Sequence, residues 1–229
     1  YYTYQQSAQL ENILSMRQLN MSIEEISSYL KHPNPQDFLE ISQNKIQAID
    51  QQIQQLQVLK QVFEQRQQSL VRSEQIHDGQ IEVEQFDAHH YLLTPMPVED
   101  NPMRNMQQIM QHLQSSWEHS SYKAGCGSYI SLEKALQGQF DVYDGVFTPV
   151  DPQDDDSLFL LRPAGQYLCG YSVGSWDKLP ELYSSMISYA KEHRFALTGN
   201  CYEIGLNEFA ISRPEEYVAR ISILIDPAQ

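Results

Sequence analysis

The stretch QDFLEISQNKIQAIDQQIQQLQVLKQVFEQRQQSLVR, residues 36–72, contains neither glycine nor proline. Within it Ile46, Ile49, Ile53, Leu56 and Phe63 follow alternating steps of three and four residues, with Lys60 at the one skipped position. That spacing predicts a long helix carrying a narrow apolar seam. Leu59, Val62 and Leu70 thicken the stripe, and glutamine crowds the other faces. A solitary helix of this length cannot hide such a seam from water. It either packs on the C-terminal part of its own chain or pairs with a second copy, and the narrowness of the stripe favours a homodimer through residues 36–72.

Upstream, Leu10, Ile13, Leu14 and Met16 recur at helical spacing, and the pattern ends at Asn20. Ser22-Ile23-Glu24-Glu25 reads as a capping box, with Ser22 as N-cap and Glu25 reaching back. Ile23, Ile26 and Leu30 then line one face of a second helix. Asn34-Pro35 opens the long helix, because proline suits a first helical position, where no N–H is needed.

Downstream of a linker at residues 75–79 the texture changes. Ile81, Val83 and Tyr91-Leu92-Leu93 suggest one interrupted strand, and Met106, Ile109, Met110, Leu113 and Trp117 form a helical stripe. Strands are expected over 125–132 and 140–150. The order then repeats: strand-like 158–161 and 166–173, a helical stripe at Leu179, Leu182, Tyr183, Met186 and Ala190, and strands over 196–206 and 216–225. Strand, helix, strand, strand, written twice, is an internal duplication, echoed by Cys126-Gly127-Ser128-Tyr129 and Cys169-Gly170-Tyr171-Ser172. Two such halves could set their sheets side by side and leave a groove between them. The fold class is therefore α+β, divided into helices over 1–33, the long helix over 34–74 and the duplicated domain over 80–229.

The chain has 229 residues, 41% of them apolar and 20% charged, which suits a globular protein with real cores. No apolar run approaches the roughly 20 residues of a membrane span, and the first ten residues carry no basic cluster of a signal peptide. Cys126, Cys169 and Cys201 sit in apolar, strand-like surroundings and read as reduced thiols of a cytoplasmic protein. No CxxC or clustered histidine accompanies them, so no metal or cofactor is expected, and His89 and His90 read as surface or packing residues. The run Asp151, Asp154, Asp155 and Asp156 lacks the ligand spacing of a calcium loop. The net charge of −15 argues against a DNA-binding surface.

The stretch Cys201-Tyr202-Glu203-Ile204-Gly205-Leu206 bears most directly on chemistry. Alternation puts Cys201, Glu203 and Gly205 on one face. An acid flanked by two small residues has space above it, although an exposed edge position is an equal alternative. The chain holds 14 Tyr, 8 Phe and 2 Trp. Tyr143 and Phe147 share a presumed strand face with Gly145, while Tyr217 shares its face with Ala219, Ile221 and Ile223. Tyr129, Tyr91 and Trp176 fall near strand or helix ends. Each is singly a core candidate. As a group around Glu203 they suggest a box for a lipophilic cation, with the acid supplying charge and the rings cation–π contact. No Gly-Xaa-Ser-Xaa-Gly elbow, phosphate loop or zinc motif is present, so no catalytic residue is assigned and an enzyme is not expected.

Two sets of residues then point to a family. Tyr1-Tyr2-Thr3, Gln9-Leu10, Ile13, Met16-Arg17, Leu19 and Ile23-Glu24-Glu25 resemble the helices that follow the wing in MerR-type transcription regulators. Phe147-Thr148-Pro149-Val150, Pro163-Ala164-Gly165-Gln166-Tyr167, Tyr202-Glu203 and Glu215-Glu216-Tyr217 resemble the GyrI-like effector-binding domain. The resemblance spans essentially the whole chain and rests on the combination rather than on one motif.

The resemblance implies a dimer joined by antiparallel long helices, a C-terminal domain that binds lipophilic cations, and activation of an efflux or resistance gene. It matches Glu203 to the family's buried acid and Tyr143 and Tyr217 to pocket tyrosines, with Tyr129 and Trp176 matched more loosely. It also sets an expectation that the N-terminal winged helix-turn-helix is missing, so that promoter DNA would be reached only through an absent head. The alternatives are a ligand-sequestering protein or a small hydrolase that works without DNA.

Overall fold

In the computed structural model the described residues are 3–96, 102–118, 125–140, 142–150 and 159–226. The acidic run at Asp151, Asp154, Asp155 and Asp156 and the side chain of Trp117 lie outside them. The chain divides into two compact units, Tyr1–Gln57 and Val58–Gln229.

In the first unit, α1 (Tyr4–Gln18) begins at a capping box on Thr3, and α2 (Ile23–Lys31) at the predicted box on Ser22. There the Glu25 backbone N–H donates to Ser22 Oγ at 3.1 Å and the Ser22 N–H to the Glu25 carboxylate at 2.6 Å. Between the helices Asn20 adopts a left-handed φ of 56°, a conformation that asparagine tolerates better than most residues. Among the described residues of this unit, Met21 and Ile26 are the buried apolar ones. Asn34 caps α3 (Pro35–Gln75) by accepting the Asp37 N–H at 2.9 Å. The seam residues of α3 are open to solvent in the single chain: Ile46, Ile49, Ile53, Leu56 and Phe63 are all exposed.

The second unit is built on β1 (Ile81–Phe86), β2 (His89–Pro95), α4 (Pro102–Glu118), β3 (Gly127–Ser131), α5 (Leu132–Leu136) and β4 (Gly145–Val150), then β5 (Phe159–Arg162), β6 (Gly165–Val173), α6 (Leu179–His193), β7 (Leu197–Gly205) and β8 (Val218–Ile225). The strands form one antiparallel sheet in the order β1-β6-β8-β7-β3-β4-β2-β5. The written repeat is visible in space: β2-α4-β3-β4 and β6-α6-β7-β8 each place their last strand between the other two. The halves join where β3 pairs with β7, with Ser128 opposite Glu203 and Tyr129 opposite Tyr202. Each half's interrupted first strand is divided between the halves. β1 adds to the edge at β6, and β5 to the edge at β2.

Pairing register sorts the side chains onto two faces. On one, α6 lays Leu182, Tyr183, Met186 and Ala190 against Ile130, Leu168, Cys201, Ile221 and Ile223. Gly170 permits this approach, since a Cβ there would overlap the Met186 thioether. On the same face, α4 buries His112, whose ring nitrogens bond Thr94 Oγ1 at 2.7 Å and Thr148 Oγ1 at 2.9 Å. This corrects the stripe expected for α4. Met106 and Met110 are exposed, Ile109 and Leu113 are half-buried, and the buried positions are His112, partnered by the threonines beneath, and Ser116, whose hydroxyl donates to Leu113 O at 2.8 Å. The other face carries Phe86, Tyr91, Tyr129, Phe147, Tyr167, Tyr171, Tyr202 and Arg220. The last turns of α3 meet this face, where Arg72 pairs with Glu82 and lies over the Tyr171 ring.

Candidate ligand site

Glu203 is fully buried near the centre of the sheet, on the face covered by α6. Its carboxylate accepts two hydroxyl hydrogen bonds, from Tyr183 at 2.6 Å and from Tyr143 at 3.0 Å. Tyr183 is set by α6 and stacks on Phe140 at a centroid distance of 5.0 Å. Tyr143 precedes β4 rather than lying in it, in a loop pinned from several sides. Lys134 Nζ donates to Val142 O at 3.2 Å and to Asp144 Oδ1 at 2.6 Å, while the Ser131 N–H donates to Asp144 Oδ2 at 2.6 Å. The lysine ammonium and backbone N–H together hold the Asp144 carboxyl below its usual range despite desolvation.

Burial pushes the Glu203 carboxyl up to about 7, and the hydroxyls of Tyr183 and Tyr143 only partly oppose it. The rise from 4.5 corresponds to about 3 kcal/mol of preference for the neutral acid in the empty site. An acid ordinarily settles such a burden by pairing with a buried cation, yet Glu203 has no Lys or Arg partner among the described residues. Around it, Gly205 leaves room for Tyr217, whose hydroxyl would overlap a Cβ at that position and has no hydrogen-bond partner among the described residues. Trp176, 46% exposed, stacks on Tyr217 at 5.2 Å and is the outermost ring of the group.

The structure therefore brings Glu203, Tyr143, Tyr217 and Trp176 together and separates the rest of the expected box. Phe147, Tyr91 and Tyr129 lie on the opposite face, in a cluster with Tyr202. Tyr91 stacks on Phe147 at 4.7 Å, and Tyr202 meets both edge-on. The physical reason is register. Tyr129 pairs with Tyr202, one residue out of phase with Glu203, and Phe147 pairs with Gly127, likewise out of phase with Ser128. Tyr143 escapes the parity of β4 because the strand starts at Gly145. Sequence reasoning placed Tyr183 in the apolar stripe of α6 and missed its role. The available signal was its hydroxyl, since a tyrosine on the buried stripe of a helix needs a polar partner. Among the described residues no group of three or more metal-ligating side chains is present, and no helix is long and apolar enough to cross a membrane.

Residues 80–226 match the family model described as GyrI-like small molecule binding domain, and the chain belongs to that family. Residues 7–65 match the model described as MerR, DNA binding, so that the chain is a MerR-type regulator with a GyrI-like small-molecule-binding domain. This match overturns the expectation of a missing DNA-binding region, and with it the idea that DNA would be reached only through an absent head. The expectation came from the resemblance of the first 25 residues to helices that follow the wing, with the net charge taken as support, and a charge summed over the whole chain cannot locate a DNA-binding segment within it. The chain is 20% identical over 229 residues to the Multidrug-efflux transporter 2 regulator of Bacillus subtilis (strain 168), a match spanning 98% of this chain and 82% of that protein. Among solved structures it is similar to EcmrR in its DNA complex (16% identity, TM-score 0.47, 99% of this chain and 85% of that one). It is also similar to SAV2435 bound to tetraphenylphosphonium (10% identity, TM-score 0.41, 65% of this chain and 94% of that one).

Proposed function

We propose that this MerR-type regulator senses lipophilic cations at Glu203 and, when occupied, activates an efflux or resistance gene. The observation that carries the proposal is a fully buried carboxylate held by two tyrosine hydroxyls, with no Lys or Arg among the described residues to neutralise it. A bound cation supplies the missing charge, and Tyr143, Tyr183, Tyr217 and Trp176 supply rings that tolerate varied shapes. With Glu203 closed off from solvent, a ligand displaces part of this aromatic cover as it enters. The likeness to a regulator of a multidrug-efflux transporter supports the regulatory half of the reading.

The proposal includes a homodimer joined through residues 36–72. MerR-type regulators bind DNA and small molecules and function as dimers, and the exposed seam from Ile46 to Phe63 is a surface that a second helix would bury. Replacing Ile49 and Ile53 together with Glu is expected to give monomers or insoluble protein in sedimentation experiments. A dimer surviving that double change would place the interface elsewhere.

The experiment for the ligand compares methyltriphenylphosphonium with neutral triphenylphosphine oxide, which has nearly the same shape. Glu203→Gln keeps size and removes charge, and loss of a desolvated charge pair costs about 2–5 kcal/mol. Affinity for the phosphonium falls at least tenfold in the variant, and affinity for the oxide changes little. Equal losses for the two compounds would refute charge recognition by Glu203.

A further inference from the structure

The sheet face opposite Glu203 holds a cleft of about 400 Å³, within the second unit, that the cation site does not use. Three of the chain's fifteen basic residues line it: Arg66, Arg162 and Arg220. In a protein of net charge −15 this is a local concentration of positive charge. Arg162 is 8% exposed, and its guanidinium lies over the rings of Phe86 at 4.7 Å, Tyr167 at 5.1 Å and Tyr91 at 5.5 Å. Arg220 lies over the Phe86 ring at 4.8 Å. The guanidinium groups thus lie over ring faces, while their N–H groups can still donate hydrogen bonds. One Arg162 Nη donates to the Asp87 carbonyl at 2.8 Å, but the Nε–H groups of both Arg162 and Arg220 are buried without an acceptor among the described residues.

Two buried donors without partners, on side chains that line a cleft, call for an acceptor from outside the fold. The acceptor chemistry follows from the donors, since guanidinium edges match a carboxylate. Phe86, Tyr91, Pro149, Ile204, Leu206 and Phe209 give the wall apolar surface, beside polar Gln65, Gln68, Ser69 and His89. Glu208 also lines the cleft and offsets part of the positive charge, leaving the three arginines in excess; burial raises its pKa, with Arg66 opposing.

We infer that this cleft is a second ligand site, for a planar aromatic carboxylate, distinct from and opposite in charge to the Glu203 site. The carboxylate meets Arg162 and Arg220, and the ring system lies against Phe86, Tyr91 and Pro149. The site stands on its own residues and does not depend on the cation reading.

The test uses 2-naphthoate, 2-naphthamide and 2-naphthylmethylammonium, which share a ring and differ in charge. Calorimetry on the full chain should show naphthoate binding at least tenfold tighter than the amide, with the ammonium weakest. Arg220→Gln, checked for folding by circular dichroism, should remove the preference for the anion over the amide. Arg162→Gln should do the same if it folds, and the charge series on the unmodified chain decides the matter if it does not. Equal affinity for naphthoate and naphthamide, no naphthoate binding at millimolar concentration, or an anion preference retained in Arg220→Gln would each overturn the proposal.

Discussion

On the face of the sheet beneath α6, one acid is enclosed by tyrosines and its charge is unanswered. On the opposite face, arginines lie over aromatic rings and two of their donors have no acceptor among the described residues. Both faces bury polar chemistry behind apolar cover, but they settle the cost differently. A carboxyl group can shed its charge by taking up a proton, and Glu203 does so below about pH 7. A guanidinium cannot, so Arg162 keeps its charge and is stabilised by three ring faces instead. The acid at Glu203 is therefore sensitive to pH, whereas the guanidinium groups opposite have no such release.

The largest consequence is in the stability of the empty protein. Because the folded-state value for Glu203 is raised from 4.5 to about 7, the fold gains from its neutral acid below pH 4.5 and loses that gain as pH rises through about 7. The loss amounts to about 3 kcal/mol. Urea denaturation between pH 4 and 8.5 should show it in the parent chain and not in Glu203→Gln. Parallel pH profiles for the two proteins would remove the difference drawn between the faces.

A smaller effect separates the faces sterically. A Cβ at Gly127 would overlap the Glu203 carbonyl and the Phe147 ring. Since backbone is among the obstacles, Gly127→Ala should cost about 2 kcal/mol through overpacking, measured as a lower urea midpoint at constant slope. An unchanged midpoint would mean that β3 can shift without disturbing the aromatic cluster.

Smaller again are the two tyrosines. Tyr183→Phe removes the shorter bond to Glu203 and should cost about 1.5 kcal/mol above pH 7, where the carboxylate is ionised. Tyr143→Phe removes the longer one, from a residue that is only partly buried, and should cost under about 1 kcal/mol. Both changes push the Glu203 carboxyl higher, so the pH at which cation binding develops should move up in each, and further for Tyr183→Phe. The reverse ranking would contradict the geometry.

The legible and illegible parts of the site divide along one physical line. Alternation within β7 was enough to put Glu203 beside Cys201 and Gly205, and the repeated strand-helix-strand-strand order was enough to anticipate a duplicated sheet. Parity between strands was not available, because it depends on hydrogen-bond register that no single strand encodes. Tyr129, Phe147 and Tyr91 were therefore grouped with an acid from which the sheet separates them. Tyr143 was assigned by counting through a strand that had not yet begun. Tyr183 was hidden by its periodicity, which is equally that of a core residue.

If Glu203 recognises positive charge as proposed, the empty site holds it largely protonated below about pH 7 until a cation arrives. Calorimetry of methyltriphenylphosphonium binding at pH 6, in two buffers of different ionisation enthalpy, reads that proton. If the acid of the empty site titrates at about 7, binding at pH 6 releases about one proton. The observed heats then differ between buffers, and the difference disappears both at pH 8.5 and in Glu203→Gln. Identical heats in the two buffers at pH 6, or a proton release that persists in Glu203→Gln, would contradict the account.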